Sequence, residues 1–477
     1  MFDLHPLLIL VIGILTVVLM ITLARINAFI ALITSAVVVS LLAPGQLAEK
    51  ISRVAQAFGS TAGGIGIVIA LAVVIGKCMM DSGAADRIVR GFLSLLGEKR
   101  AATALMASGY VLSVPVFFDT VFYLLIPLAR SMHRRTKKHY LKYAMAIAAG
   151  GVITHSLVPP TPGPLVMAET LGIDIGVMIL VGALVALPAS FVGMFFSTWT
   201  DRRMNIQMRP LGEGLVAGAS CPRNLGLEAQ ATEPLKDEQL PSLFLSLLPI
   251  VLPVLLVSTN TIVSALAKGA GEGAGIRRAA GITAVLGNVN LAMLMSMAIA
   301  MWTLKSKRKL TNAQLAKVAE VSLMSGGIII LITAAGGAFG AMLKAAQIGP
   351  AIENLLKADG GQPISGMMLL ILGALIAAVM KIAQGSTTVA MITSSAMIAA
   401  MVTSNETLGY HRVYLATAIG GGSMIGSWMN DSGFWIFVKM TGLTEAEGLK
   451  SWTPLLAIVG FAGVVVSFLL AAILPYA

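Results

Sequence analysis

GGGSMIGSWMNDSGFWIF, residues Gly420–Phe437, lies near the end of a strongly apolar chain, with long hydrophobic runs on both sides. It nevertheless sets Asn430, Asp431, Ser432 and Gly433 in a row. A bare polar group at hydrocarbon depth costs several kcal/mol, and a charge costs more. A helix broken at Asn430–Gly433 leaves free N–H groups and carbonyls there, which is how many secondary transporters build a midplane site. The feature occurs once earlier, in Ala146–Leu165 (AIAAGGVITHSLVPPTPGPL). Aligning Gly150-Gly151 with Gly420-Gly421 brings Thr161-Pro162-Gly163 onto Asp431-Ser432-Gly433. Two interrupted helices in matching positions of two halves point to a transport site between them.

Composition agrees. The chain has 477 residues, 57% hydrophobic and 12% charged, with a mean hydropathy of +0.88. Soluble domains carry about twice that charge. The reading is an all-α polytopic membrane protein, since the alternation of a β-barrel is absent. The net charge of +11 is not a nucleic-acid signal. The basic residues cluster in loops between apolar runs, where they set orientation. Cys78 and Cys221 imply no disulfide framework. The first apolar run starts at Pro6 without preceding basic residues, so no cleavable signal peptide is expected. Gly76-Lys77 lacks the neighbours of a phosphate loop, and no sizeable soluble domain is visible, which argues against ATP-driven transport by this chain alone.

The order of elements follows from the apolar runs. Spans are expected at Pro6–Leu23, Ala28–Leu42 and Thr61–Met80, with Gly63, Gly64 and Gly66 allowing close packing. Asp81–Arg100 is amphipathic and interfacial. Ala101–Arg130 is too long for one span and too short for two, with Pro115 and Asp119 at its middle. It reads as a re-entrant hairpin with its tip near Pro115–Thr120. Arg130–Lys142 is a cytoplasmic marker. Tyr143–Ser156 and Pro164–Thr170 form the first broken helix, and Ile173–Trp199 is a full span. Asp201–Pro241 reads as a cytoplasmic linker between halves 1–200 and 242–477. The second half repeats the plan, with spans at Ser242–Leu266, Ile282–Leu304, Ser322–Leu343 and Pro454–Leu474. Its hairpin is Pro363–Val402, with its centre at Gln384–Thr388, and its broken helix is Leu415–Met440. Each half then has five spans, one of them the broken helix, and one re-entrant hairpin. That odd count inverts the second half, and it leaves the basic Lys305–Lys309 on the cytoplasmic side as its charge requires.

Asp119 and Asp431 are the sharpest chemical candidates. Each is either a proton carrier or a cap on free N–H groups. Thr161, Pro162 and Gly163, together with Gly385, Ser386, Thr387 and Thr388 and with Asn430, Ser432 and Gly433, supply hydroxyls, an amide and half-helix N-termini. These favour an anionic, hydroxylated substrate. Lys381 attracts that anion, snorkels to the interface or pairs with an acid. His155 is a further proton-relay candidate, or else a satisfied hydrogen-bonding residue. The prolines at 159, 160, 162 and 164 enforce the break. No metal or cofactor site is expected.

Several stretches in order resemble the gluconate permease (GntP) family of proton symporters over nearly the whole chain. They are Gly76–Ile88 (GKCMMDSGAADRI), Pro115–Pro127 (PVFFDTVFYLLIP), Leu157–Pro164 (LVPPTPGP), Ala334–Gly340 (AAGGAFG), Gln384–Met391 (QGSTTVAM) and Trp428–Trp435 (WMNDSGFW). The resemblance implies inverted repeats, two hairpins, an elevator motion of a mobile transport domain against a scaffold, and a homodimer. It also implies a bacterial cytoplasmic (inner) membrane. Family members commonly carry Glu-Val where this chain has Asp119-Thr120, and His where it has Thr161, so Thr120 joins the candidates. The expectation is a proton-coupled symporter of gluconate or a related sugar acid, not an enzyme. The alternatives are a sodium-coupled carboxylate or D-serine transporter of the same fold, a channel and, from another class, an intramembrane enzyme.

Overall fold

The computed structural model describes residues 5–24, 26–97, 100–136, 139–204, 206, 208–209, 239–268, 275–348, 351, 366–402, 408–429 and 431–475. Residues 210–238 of the expected linker, Lys137 and Lys138 of the basic cluster, and Asn430 lie outside them. The described residues form helices and no strand.

In chain order these are α1 (Pro6–Thr22), α2 (Ala28–Leu42), α3 (Glu49–Ser82), α4 (Ala84–Leu96), α5 (Ala101–Leu112), α6 (Phe118–Thr136), α7 (Tyr140–Leu157), α8 (Pro162–Leu171) and α9 (Ile175–Met204). After the linker come α10 (Leu243–Lys268), α11 (Gly275–Leu286), α12 (Val289–Arg308), α13 (Asn312–Ala345), α14 (Gly366–Gln384), α15 (Thr387–Met401), α16 (Arg412–Gly422), α17 (Ser432–Thr441) and α18 (Glu445–Ile473). Local chemistry sets many of the ends. Asn27 and Asn288 cap α2 and α12, and capping boxes open α13 (Thr311/Gln314) and α18 (Thr444/Glu447). Gly172 and Gly442, both left-handed, end α8 and α17, two helices of 10 residues each.

Among the described residues, eight helical segments are long and apolar enough to cross a bilayer, counting α7–α8 as one. α3 and α13, each of 34 residues, extend about 50 Å. They lie along one another, with α12 on α3 and α2 on α13. Elsewhere α7 packs on α5 and α9, α16 packs on α14 and α18, and α9 meets α18. The outer surface carries large apolar side chains such as Leu15, Ile67, Leu184, Leu255, Ile328 and Val379, as a lipid-facing surface requires.

The structure revises the sequence reading in four places. The expected span Ile282–Leu304 is cut at Gly287-Asn288, where the Asn288 side chain caps α12. Ile282–Leu286 therefore belongs to the separate helix α11. The first hairpin turns at Ser113–Phe117, and Asp119 and Thr120 sit in the first turn of α6. α14, the first arm of the second hairpin, has 19 residues and is itself long enough to cross. Gly63 is not a packing glycine, because a Cβ there meets nothing within 4 Å. Close contact between α3 and α13 is made at Gly337, where a Cβ would stand 2.2 Å from Thr61 Oγ1. Arg130, which opens the basic cluster, packs inside the protein. It is 7% exposed and donates to Tyr140 Oη at 2.9 Å and to the Arg209 carbonyl at 2.6 Å. Tyr140 in turn donates to the Thr441 carbonyl, tying α6, α7 and the end of α17 together.

The glycine pair that anchors the first half of the sequence alignment has a physical role. A Cβ on Gly150 would lie 2.1 Å from the Met106 carbonyl oxygen, with the backbone of α5 unable to yield. Gly150→Ala should therefore lower stability by about 1–3 kcal/mol, seen as a drop in the melting temperature of the purified protein in detergent. Gly327→Ala, where a Cβ meets nothing within 4 Å, should leave the melting temperature unchanged or raise it slightly.

Candidate functional site

The two breaks form because backbone and side chains both refuse a continuous helix. After α7, Pro159, Pro160 and Pro162 remove donors, and α8 restarts with Pro162 in its first turn. After α16, residues Ser423–Met429 leave the helical path, and Gly426 takes a left-handed conformation (φ 85°). Asp431 then caps α17, its Oδ1 accepting from the Gly433 amide at 3.0 Å. The second hairpin turns at Gly385, also left-handed (φ 80°), and Ser386 caps α15.

These two polar turns meet. Lys381, in the last turn of α14, has no solvent exposure, and its Nζ donates to Asp431 Oδ2 at 2.8 Å. The same Nζ donates to the Gly385 carbonyl at 2.6 Å and to Thr387 Oγ1 at 2.9 Å, so all three of its protons have acceptors. Asp431 is 8% exposed. Its Oδ2 also accepts from Ser427 Oγ, which in turn accepts from Trp452 Nε1 at 2.8 Å. Asp119, on the first turn of α6, interacts electrostatically with both Asp431 and Lys381. Three ionisable groups from three separate elements therefore share one buried region. A buried pair of this kind is tolerated only when its remaining lone pairs and protons are satisfied, as they are here.

An aromatic bed supports the region. Trp452 packs on Phe437 (centroids 5.2 Å apart) and on Phe118 (5.7 Å), while Phe122 touches Phe118 (5.6 Å) and Phe437 (5.5 Å). Phe118 and Phe122 come from the hairpin arm that carries Asp119, so the bed fixes α6 against α17 and α18.

The first break forms a second grouping. Thr161 is buried, and its hydroxyl lies 2.8 Å from the His155 carbonyl and 2.7 Å from the Val158 carbonyl, capping the end of α7. That hydroxyl proton is spent on backbone, which leaves Thr161 an acceptor at most. Thr161, Pro160 and Pro162 line a small pocket with Phe117, Ile69 and Val73. The His155 ring meets Phe117 at 5.7 Å, and its Nδ1 is buried without a hydrogen-bond partner. Gly163 allows α8 to approach the second hairpin, since a Cβ there would lie 2.1 Å from Met391 Cε. Of the sequence candidates, Lys381, Gly385, Thr387, Asp431, Gly433 and Asp119 gather at the first region. Thr161, Pro162 and His155 gather at the second. Ser432 is exposed, and Ser386, Thr388 and Thr120 are partly exposed. Sequence reasoning missed Ser427 and Trp452. Ser427 lies inside the stretch that opened the argument, but nothing local shows that a tryptophan 25 residues away donates to it.

A family model described as GntP family permease matches residues 5–473. The chain is 32% identical over 474 residues to the gluconate permease of Pseudomonas aeruginosa, covering 99% of each chain. It is 29% identical over 464 residues to the inner membrane permease YgbN of Escherichia coli, covering 97% of each. Among solved structures it resembles the YdaH transporter of Alcanivorax borkumensis, with a TM-score of 0.62 at 13% identity over 99% of each chain. That likeness establishes the fold alone.

The ion pair makes a measurable demand on stability. Removing one member of a buried pair leaves the other uncompensated, at about 3–5 kcal/mol. Lys381→Met and Asp431→Asn should each lower the unfolding temperature of the purified protein strongly. The double variant should recover at least half of the summed loss, and strictly additive losses would show that the two groups are not coupled.

Proposed function

The chain belongs to the GntP family of permeases, a multi-pass transporter of the bacterial inner membrane, and from that premise we propose that it carries gluconate or a related small sugar acid into the cell together with protons. The observation that carries this reading is the meeting of Lys381, Asp431 and Asp119 at two polar backbone turns. An anion needs a buried cation and free donors, and proton coupling needs a carboxyl group that the substrate can influence. The names of relatives, gluconate permease and low-affinity gluconate transporter, favour gluconate. In this reading Gly385–Thr388 and Asp431–Gly433, with Thr161–Gly163 facing them, form the walls of the substrate path. His155, whose ring nitrogen lacks a partner, is a further proton-handling group.

Alternating access by an elevator motion of two inverted repeats accounts for several pairings. α3 and α13 are equal in length and pack on each other, and α12 on α3 mirrors α2 on α13. α7 between α5 and α9 mirrors α16 between α14 and α18. The segments α8–Gly172–α9 and α17–Gly442–α18 keep the same internal spacing. Gly76 faces Pro115 of the first hairpin as Gly340 faces Ala396 of the second. The hairpins and broken helices would move together, with α3 and α13 as part of the frame, and a homodimer would steady that frame.

The reading is tested with gluconate uptake into sodium-free proteoliposomes, with an inward proton gradient imposed or collapsed. Concentrative uptake is expected only with the gradient. Uptake that needs sodium at clamped pH would replace the proton with sodium. Absence of uptake under every gradient, from folded protein, would remove gluconate.

A further inference from the structure

Lys381 has no proton to spare for a further acceptor, and Asp431 already has both of its oxygens engaged. Nζ uses its protons on Asp431, Gly385 and Thr387. Asp431 uses both oxygens, on Gly433, Ser427 and Lys381. Yet this ammonium is the cation at the meeting of the second hairpin turn with the second break. A carboxylate entering the region must either remain unpaired, which is costly in a buried setting, or take the place of one already there. Two of the three Lys381 acceptors are fixed parts of the hairpin turn itself. Asp431 is the one contributed from a separate element, 50 residues away in the chain, and the only charged one.

We propose that the carboxylate of the substrate replaces Asp431 on Lys381, and that Asp431 takes up one proton as it is displaced. This rests on the sugar-acid reading above. Before binding, the pair holds one positive and one negative charge. After binding, the substrate carboxylate holds the negative charge and Asp431 is a neutral acid, so the net charge of the region is unchanged. The proton comes from the side from which substrate enters, and no bond forms or breaks other than the O–H on Asp431. The neutral acid keeps a role. It can still accept from the Gly433 amide and donate or accept at Ser427. Coupling then has a physical cause: an anion without its proton would leave two carboxylates sharing one ammonium, and a proton without its anion would leave Lys381 uncompensated.

The other titratable and charged groups near the pair are known. Asp119 faces both partners from α6, and Tyr123 on the same helix interacts with Asp119. α15 presents Thr387 and α18 presents Trp452. Lys439 of α17 turns to the Trp435 ring, 5.8 Å from its centroid. In the exchange each gluconate moves with one proton and no net charge.

The test is gluconate binding to the purified full chain by calorimetry, from pH 5.5 to 8.5, in buffers of different ionisation enthalpy. The carboxyl group of gluconate is ionised throughout that range. Wild type should take up about one proton per gluconate and bind more weakly as pH rises. Asp431→Asn should bind gluconate with no proton uptake and little pH dependence, and gluconate should raise its melting temperature more than that of wild type, because the ligand restores the missing partner. Lys381→Met/Asp431→Asn removes both charges and keeps the turn uncharged. It should bind gluconate about 10- to 100-fold more weakly than Asp431→Asn and no longer prefer it to the neutral polyol glucitol. Three results would overturn the exchange while leaving a gluconate transporter standing: proton uptake persisting in Asp431→Asn, wild-type affinity in the double variant, or retained preference over glucitol. Failure of wild type to bind gluconate at any pH would instead remove the substrate reading on which the exchange rests.

Discussion

The contact between Lys381 and Asp431 constrains everything near it. A buried ammonium and a buried carboxylate are each unaffordable alone in an apolar interior, and together they are stable only in a narrow geometry with every other proton and lone pair matched. That geometry requires two helices to stop at the same place. α14 must end so that Lys381 reaches the Gly385 carbonyl, and α17 must begin so that Asp431 caps it. The breaks are therefore not interruptions in a bundle but the means by which a charged pair is held inside it.

The apolar surroundings complete the arrangement. Trp452 presents its indole nitrogen to Ser427 and its ring faces to Phe118 and Phe437, so one side chain serves both the polar network and the packing beneath it. Through Phe118 and Phe122 the same bed brings α6 alongside, and with it Asp119. At the opposite end of α6 and α17, Arg130 and Tyr140 bind backbone carbonyls, so these helices are held together at both ends. Rigid docking of this kind suits elements that move as one body.

Much of the architecture was legible in the residues. Long apolar runs marked the spans, the length of Pro363–Val402 with a polar centre marked a hairpin, and the paired Gly-Gly and Pro/Gly/Ser breaks marked the discontinuous helices. Boundaries failed where a local cap outweighed hydrophobicity. Asn288 starts a new helix inside an apolar stretch, and α6 begins early enough to absorb Asp119. The anchoring contacts of Arg130 were not legible, because its partners, Tyr140 and the Arg209 carbonyl, are tertiary.

By itself the sequence determined that polar backbone turns occur within apolar helices, and that they occur twice in the same order, because composition and spacing record both directly. It also named Lys381 and Asp431 while leaving open whether the lysine meets an acid or an anion. Only the tertiary structure decided that they meet each other and that Ser427 and Trp452 complete the network. The physical reason is distance along the chain. Periodicity and capping are local properties, whereas a contact across 50 residues depends on how separately formed helices dock, and no local pattern encodes that docking.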